Sequence, residues 1–79
     1  MDFILRIFWE ITRSQFMIIN GEKFHQESLT LMEYAELKGL NLELIALELN
    51  GKIIPKDEFS TVVFKQNDKV EILSFVGGG

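Results

Sequence analysis

Short apolar segments alternate with polar turns over residues 17–76, a pattern that predicts a small sheet. Residues 16–20 are apolar and β-branched, as is typical of a strand. The dipeptide Asn20-Gly21 follows and favours a type I′ hairpin turn, because both residue types tolerate a positive φ. Residues 23–27 are then predicted to return as a second strand.

One helix is predicted after this hairpin. Thr30 stands three residues before Glu33, which is the spacing of a capping box. Helical spacing places three apolar side chains on one face, namely Leu31, Tyr34 and Ala35. Gly39 follows where a left-handed residue commonly ends a helix. So short a helix is marginal alone, so its apolar face is expected to pack on the sheet.

The second half of the chain repeats the strand-and-turn pattern. Residues 44–49 alternate, so that Glu48 points away from its apolar neighbours, and Asn50-Gly51 is a second hairpin turn. A short strand over 53–54 ends at Pro55, which suits a sheet edge. Residues 56–61 form a connection in which Phe59 is predicted to point inward. Residues 66–69 form a third turn, and 69–76 are the longest predicted strand.

This order of elements predicts an α+β fold: a mixed sheet of four to five strands with one helix packed on one face. The predicted domain covers residues 17–76. An apolar extension, residues 1–16, precedes it, and a flexible glycine tail, residues 77–79, follows it.

Composition argues against several classes of function. The chain has 79 residues, no cysteine and one histidine. Neither a metal site nor a catalytic nucleophile–base pair is therefore predicted. The chain is not expected to be an enzyme. The net charge of −4, with no basic stripe, argues against nucleic acid as a partner. The absence of cysteine and of a long apolar run favours the cytoplasm and gives no indication of a membrane span.

The C-terminal tail is the candidate functional site. A predicted strand runs directly into Gly77, Gly78 and Gly79. Glycines make a thin, mobile segment that fits a narrow channel, and they leave the last carboxylate without steric cover. Such a carboxylate becomes reactive once it is adenylated with ATP. No phosphate-binding loop occurs in the chain, so a partner enzyme must supply that chemistry. A flexible end without function is the alternative.

From Met17 onward the chain resembles the ThiS family of sulfur carrier proteins, ubiquitin-like β-grasp proteins of thiamin biosynthesis. The similarity lies in the first strand and turn at 17–22, in the hairpin 46–55 with its proline, and in the last strand and tail at 70–79. Many relatives have an Asp-Gly-Asp turn before the last strand, where this chain has residues 66–68; Asn67 tolerates the left-handed conformation that the turn needs.

The resemblance implies a mechanism and partners. A ThiF-like enzyme would adenylate Gly79, a cysteine desulfurase would supply the sulfur that forms a thiocarboxylate, and a ThiG-like thiazole synthase would accept it. No bound cofactor is expected; the acyl-adenylate and the thiocarboxylate are covalent intermediates. Leu73, Phe75 and Val76 would line the docking surface beside the tail, and burial in the central strand is the alternative for Leu73.

Three other functions remain open at this point. A small subunit of molybdopterin synthase, similar to MoaD, would share the fold and the tail chemistry. A ubiquitin-like modifier would be joined to lysines of target proteins through Gly79. A structural binding module would leave the tail unused.

The extension over residues 1–16 departs from the family, which usually starts near Met17. Its apolar residues share one helical face. An amphipathic helix that docks on a partner or on a membrane surface is one interpretation. An upstream start site, or a helix packed on this domain or on a second copy, is favoured.

Overall fold

A computed structural model describes residues 16–75. This part contains seven strands: β1 Met17–Ile19, β2 Glu22–Phe24, β3 Ser28–Thr30, β4 Ile45–Leu49, β5 Lys52–Ile54, β6 Val63–Lys65 and β7 Lys69–Ser74. Its one α-helix, α1, is Leu31–Lys38, and two 3-10 segments are Leu42–Leu44 and Lys56–Thr61. The predictions for residues 1–15 and for Val76 and the glycine tail lie outside the described residues.

Five strands form one mixed sheet in the order β2-β1-β7-β4-β5. Strands β1 and β7 are parallel, and the other neighbours are antiparallel. The α+β prediction of a mixed sheet of four to five strands is therefore confirmed. Strand β5 lies at the sheet edge and is followed by Pro55, as predicted, because proline cannot donate to a further ladder.

The two Asn-Gly turns have the predicted geometry. Asn20 and Gly21 have φ values of 51° and 82°, and Asn50 and Gly51 have 51° and 87°. Positive φ at both central residues is the signature of the type I′ turn, whose twist matches that of the strands it joins. Asn67, with φ 80°, adopts the left-handed conformation expected in the third turn.

Helix α1 begins and ends at the predicted residues. The Glu33 amide donates to Thr30 Oγ1 over 3.0 Å, and the Thr30 amide donates to Glu33 Oε1 over 2.9 Å. This reciprocal capping box satisfies two amides that helical bonding leaves free. Gly39, with φ 69°, ends the helix, and the Leu40 amide donates back to the Ala35 carbonyl over 2.8 Å.

The apolar core lies between α1 and the sheet. Six of its side chains have almost no contact with solvent: Met17, Ile19, Leu31, Leu47, Phe64 and Val70. Burying one such side chain contributes about 1.5–3 kcal/mol, which makes this core the main stabilising element of the domain. Phe59 is 5% exposed and closes the core from the 3-10 segment, as predicted.

A second, two-stranded sheet was not predicted. Strands β3 and β6 are antiparallel, and Leu29 lies opposite Phe64, with both side chains buried. The predicted return strand over 23–27 is wrong beyond Phe24, because the chain leaves the main sheet there and joins β3 four residues later. The longest strand, predicted over 69–76, ends at Ser74.

Candidate functional site

Strand β7 is the element that leads to the C-terminal tail. It lies in the middle of the five-stranded sheet, between β1 and β4. After its last residue, Ser74, the Phe75 amide still donates to the Leu44 carbonyl over 2.6 Å. The tail therefore starts from a segment that is hydrogen-bonded to the sheet as far as Phe75.

Two asparagine side chains fix β7 in place from the hairpin turns. The Asn20 side chain accepts from the Ile72 amide over 2.7 Å and donates to the Ile72 carbonyl over 3.1 Å. The Asn50 side chain accepts from the Lys69 amide over 2.8 Å and donates to the Asp68 carboxylate over 2.9 Å. The sequence explained Asn20 and Asn50 only as turn residues. Their side chains also position the strand that leads to the tail.

The side chains of β7 alternate between the core and the open face of the sheet. Val70 and Ile72 point into the core, whereas Glu71 and Leu73 are exposed. Leu73 is 63% exposed and Phe75 is 52% exposed, so the alternative of burial in the central strand does not hold for Leu73. Val76, the third predicted docking residue, lies outside the described residues.

A shallow groove of about 200 Å³ crosses the open face of the sheet. We call it the open-face groove; its lining residues are Ala46, Leu47, Glu48, Ile53, Glu71 and Leu73. The register of β4 and β7 places Ala46 opposite Leu73 and Glu48 opposite Glu71. On the β5 side, Glu48 lies opposite Ile53, which is 72% exposed.

The groove was missed by sequence reasoning, although Glu48 was correctly placed away from the core. The turn at Asn50-Gly51 fixes which residues of β4 and β5 are opposite each other, so the pairing of Glu48 with Ile53 was accessible from local sequence. The pairing of Glu48 with Glu71 was not accessible from local sequence. A long segment separates β4 from β7, so no short turn sets the register of these two strands.

Two electrostatic features of the described part are an ion pair on the surface and a tyrosine with a raised pKa. Between residues 16 and 75 the ion pair is Lys38 with Glu22, whose Nζ and Oε1 atoms are 3.2 Å apart on the solvent side. Burial raises the pKa of the Tyr34 hydroxyl, with a smaller opposing effect from Lys38. Neither feature lines the open-face groove.

Within residues 16–75 no group of His, Asp and Glu side chains is close enough to hold a metal ion. His25 lies on the surface, with its ring edge-on to Phe16 at 5.8 Å between centroids. No helix of the described part is long and apolar enough to cross a membrane.

Comparison with known proteins gives one family. The family model described as the ThiS family matches residues 14–79, which includes the tail. The crystal structure of the thiamine biosynthesis protein ThiS from Geobacter metallireducens superposes with a TM-score of 0.62 at 34% identity. The match covers 81% of this chain and 99% of that one, and it confirms the predicted ubiquitin-like β-grasp fold.

Two kinds of curated relative are similar in sequence. The uncharacterized protein ycf40 of Porphyra purpurea is 40% identical over 62 residues, covering 77% of this chain and 87% of that protein. The thiazole synthase of Paramagnetospirillum magneticum is 34% identical over 64 residues, covering 80% of this chain. The chain spans only 20% of the length of that thiazole synthase.

Proposed function

Because the chain belongs to the ThiS family, we propose that it is a sulfur carrier of thiamine biosynthesis whose reactive group is the carboxylate of Gly79. The observation that carries this proposal is the extent of the family match, which runs from residue 14 to Gly79 and so includes the glycine tail as well as the fold. The exposed apolar residues at the base of the tail are consistent with a protein that works by docking on enzymes.

The proposed chemistry has two steps. A carboxylate oxygen of Gly79 attacks the α-phosphorus of ATP, which releases pyrophosphate and leaves an acyl-adenylate. Sulfide then attacks the acyl carbon, and the bond to AMP breaks, so that a thiocarboxylate forms on Gly79. Where a cysteine desulfurase delivers the sulfur as a persulfide, the same attack gives an acyl disulfide, and a thiol reductant cleaves its S–S bond to release the thiocarboxylate. Gly77 and Gly78 serve as the thin arm that carries this group into enzyme active sites. The chain itself is the carrier, and the enzymes provide the catalytic groups.

Three partners follow from this chemistry. A ThiF-like activating enzyme forms the adenylate, a cysteine desulfurase supplies the sulfur, and a ThiG-like thiazole synthase uses the thiocarboxylate, all in the cytoplasm. Support for the last partner comes from the thiazole synthases of Paramagnetospirillum magneticum and Magnetococcus marinus. Each contains, within a much longer polypeptide, a stretch similar to this chain.

The docking surface of the proposal is the end of the open face nearest the tail. Leu73 and Phe75 are exposed there although both are large and apolar. Apolar side chains that stay exposed beside a reactive tail provide the area that an enzyme needs to hold the domain while the tail enters its active site. Val76 continues this segment in the sequence.

Intact mass spectrometry tests the proposal directly. The purified chain is incubated with a ThiF-like enzyme, ATP and sulfide. We expect a mass increase equal to the exchange of one oxygen for one sulfur. A chain that lacks Gly79 serves as the matched control and should keep its mass. No increase with an enzyme that adenylates a known ThiS protein in parallel would contradict the proposal.

A second reaction separates thiazole formation from the molybdopterin alternative. The thiocarboxylate form is offered to a ThiG-like thiazole synthase and, separately, to the large subunit of a molybdopterin synthase. We expect the sulfur to be consumed by the thiazole synthase alone. Consumption only by the molybdopterin enzyme would assign the chain to the other pathway, and isopeptide-linked conjugates in cell lysate would indicate a protein modifier.

A further inference from the structure

Two carboxylates face each other across the centre of the open face. Glu48 on β4 and Glu71 on β7 are direct partners in the antiparallel register. The Cβ atoms of such partners are about 4.5–5.5 Å apart, and like charges in this position destabilise a sheet. Within residues 16–75 neither carboxylate forms an ion pair, and Glu48 is half-buried. The register therefore places two like charges side by side, and no described side chain forms an ion pair with either of them.

The surroundings of this pair favour one kind of ligand. The open-face groove encloses about 200 Å³, less than the roughly 300–1,000 Å³ of typical small-molecule pockets, so its size fits a single side chain. Its rim is apolar at Ile53 and Leu73. A long side chain with an apolar stem and a cationic end would contact this rim and would reach both carboxylates.

We propose that the open-face groove receives an arginine side chain of the ATP-dependent activating enzyme that acts on the tail. Arginine suits the site because its planar guanidinium has five N–H donors, enough to bind two carboxylates at once, and it keeps its charge at any physiological pH. The inference rests on the proposed function, since it names the contact that holds the carrier on its first enzyme.

Position along β7 brings the groove close to any enzyme that takes the tail, and the need to bind ATP favours the activating enzyme among them. Glu71 and Phe75 are four residues apart, which corresponds to about 13 Å of extended chain. An enzyme that takes the tail into its active site therefore also covers the groove. That active site must bring a carboxylate next to the phosphates of ATP, so cationic side chains are expected at its entrance. The carrier, with a net charge of −4, presents the complementary charge.

Isothermal titration of the full chain into a purified ThiF-like enzyme without ATP tests the inference. The double variant Glu48→Gln/Glu71→Gln removes both charges and retains the side-chain shape. We expect its Kd to rise about tenfold or more and to depend less on salt than that of the unaltered chain. The matched control is Glu27→Gln/Glu36→Gln, which removes two exposed charges that do not line the groove. Its Kd should stay within about twofold.

The outcomes separate this inference from the proposed function. Equal affinity of the double variant and the unaltered chain overturns the groove contact while the adenylation of Gly79 stands. A groove-dependent Kd without any adenylate on addition of ATP supports the contact and contradicts the proposed chemistry. Absence of binding by the unaltered chain overturns the groove contact, and the mass measurement with ATP then decides the proposed chemistry by itself. Circular dichroism of each variant shows whether weaker binding comes from the groove, since we expect the double variant to unfold at the same or a higher temperature.

Discussion

The side-chain amide of Asn20 and the backbone of Ile72 form two hydrogen bonds, of 2.7 and 3.1 Å, between the first turn and the central strand. The Asn20 side-chain amide bonds Ile72 as the backbone of a neighbouring strand residue would, because it both accepts from the Ile72 N–H and donates to the Ile72 carbonyl. Ile72 itself belongs to the core. A turn residue thus stabilises the strand that leads to the tail.

Replacing Asn20 should destabilise the domain through these bonds. In Asn20→Gly the positive φ remains easy to adopt, but both bonds to Ile72 are lost, so we expect the free energy of unfolding to fall by about 1–3 kcal/mol in urea titration. Asn20→Ala should cost about 1 kcal/mol more, because alanine is strained at φ 51°. Asn50→Gly is the matched variant at the exposed turn and should cost less. Equal losses at both turns would contradict the role given to Ile72.

Local chemistry explains which elements could be predicted from the sequence. Both Asn-Gly turns, the capping box at Thr30 and the left-handed Gly39 depend on residues that are neighbours in the chain, and all have the predicted geometry. Strands β3 and β6 could not be predicted, because each has only three residues with one buried side chain, and no Asn-Gly turn marks either of them as the short strands β1, β2 and β5 are marked.

Part of the candidate site could likewise be predicted from the sequence, and part could not. The tail glycines are visible in the sequence, and the family resemblance is the source of the tail chemistry that we propose. The open-face groove depends on the register of β4 against β7, a pairing of residues more than twenty positions apart, as for Glu48 and Glu71. Such a register follows from packing of the whole core, and no local pattern specifies it.

Leu73 offers a test of docking that is separate from stability. Because it is 63% exposed, Leu73→Ser should change the free energy of unfolding by no more than about 0.5 kcal/mol. The same variant should lower the rate of adenylation by a ThiF-like enzyme at limiting carrier about tenfold, since an apolar contact at the base of the tail is lost. Leu37→Ser is the control, because Leu37 is 65% exposed on helix α1. If both variants slow adenylation equally, the docking surface is not where we place it.

The carboxylate pair predicts a variant that gains stability. Glu71→Gln removes the repulsion with Glu48 and keeps the side-chain length. We expect a gain of about 0.2–1 kcal/mol, which raises the thermal midpoint by about 1–8 °C in a domain of this size. The gain should shrink in high salt, where the repulsion is already screened. A lower midpoint than that of the unaltered chain, measured by circular dichroism, would count against the repulsion.

The hydroxyl of Tyr34 should report folding at alkaline pH. Burial raises its pKa above the ordinary value of about 10, Lys38 opposes this effect, and Glu22 adds to it. The unfolded chain therefore loses the phenolic proton first, so this contribution to stability is complete below about pH 10 and declines as the pH rises towards the folded pKa.

Tyr34 is the only tyrosine of the chain, so phenolate absorbance follows it without overlap from a second one. We expect the absorbance midpoint of the folded protein to lie at higher pH than that of the protein in urea. Tyr34→Phe should remove the part of the alkaline stability loss that comes from this hydroxyl, whereas lysine titration remains in both proteins. Coincident midpoints in buffer and in urea would show that the ring is not shielded by its contacts with Phe24 and the core.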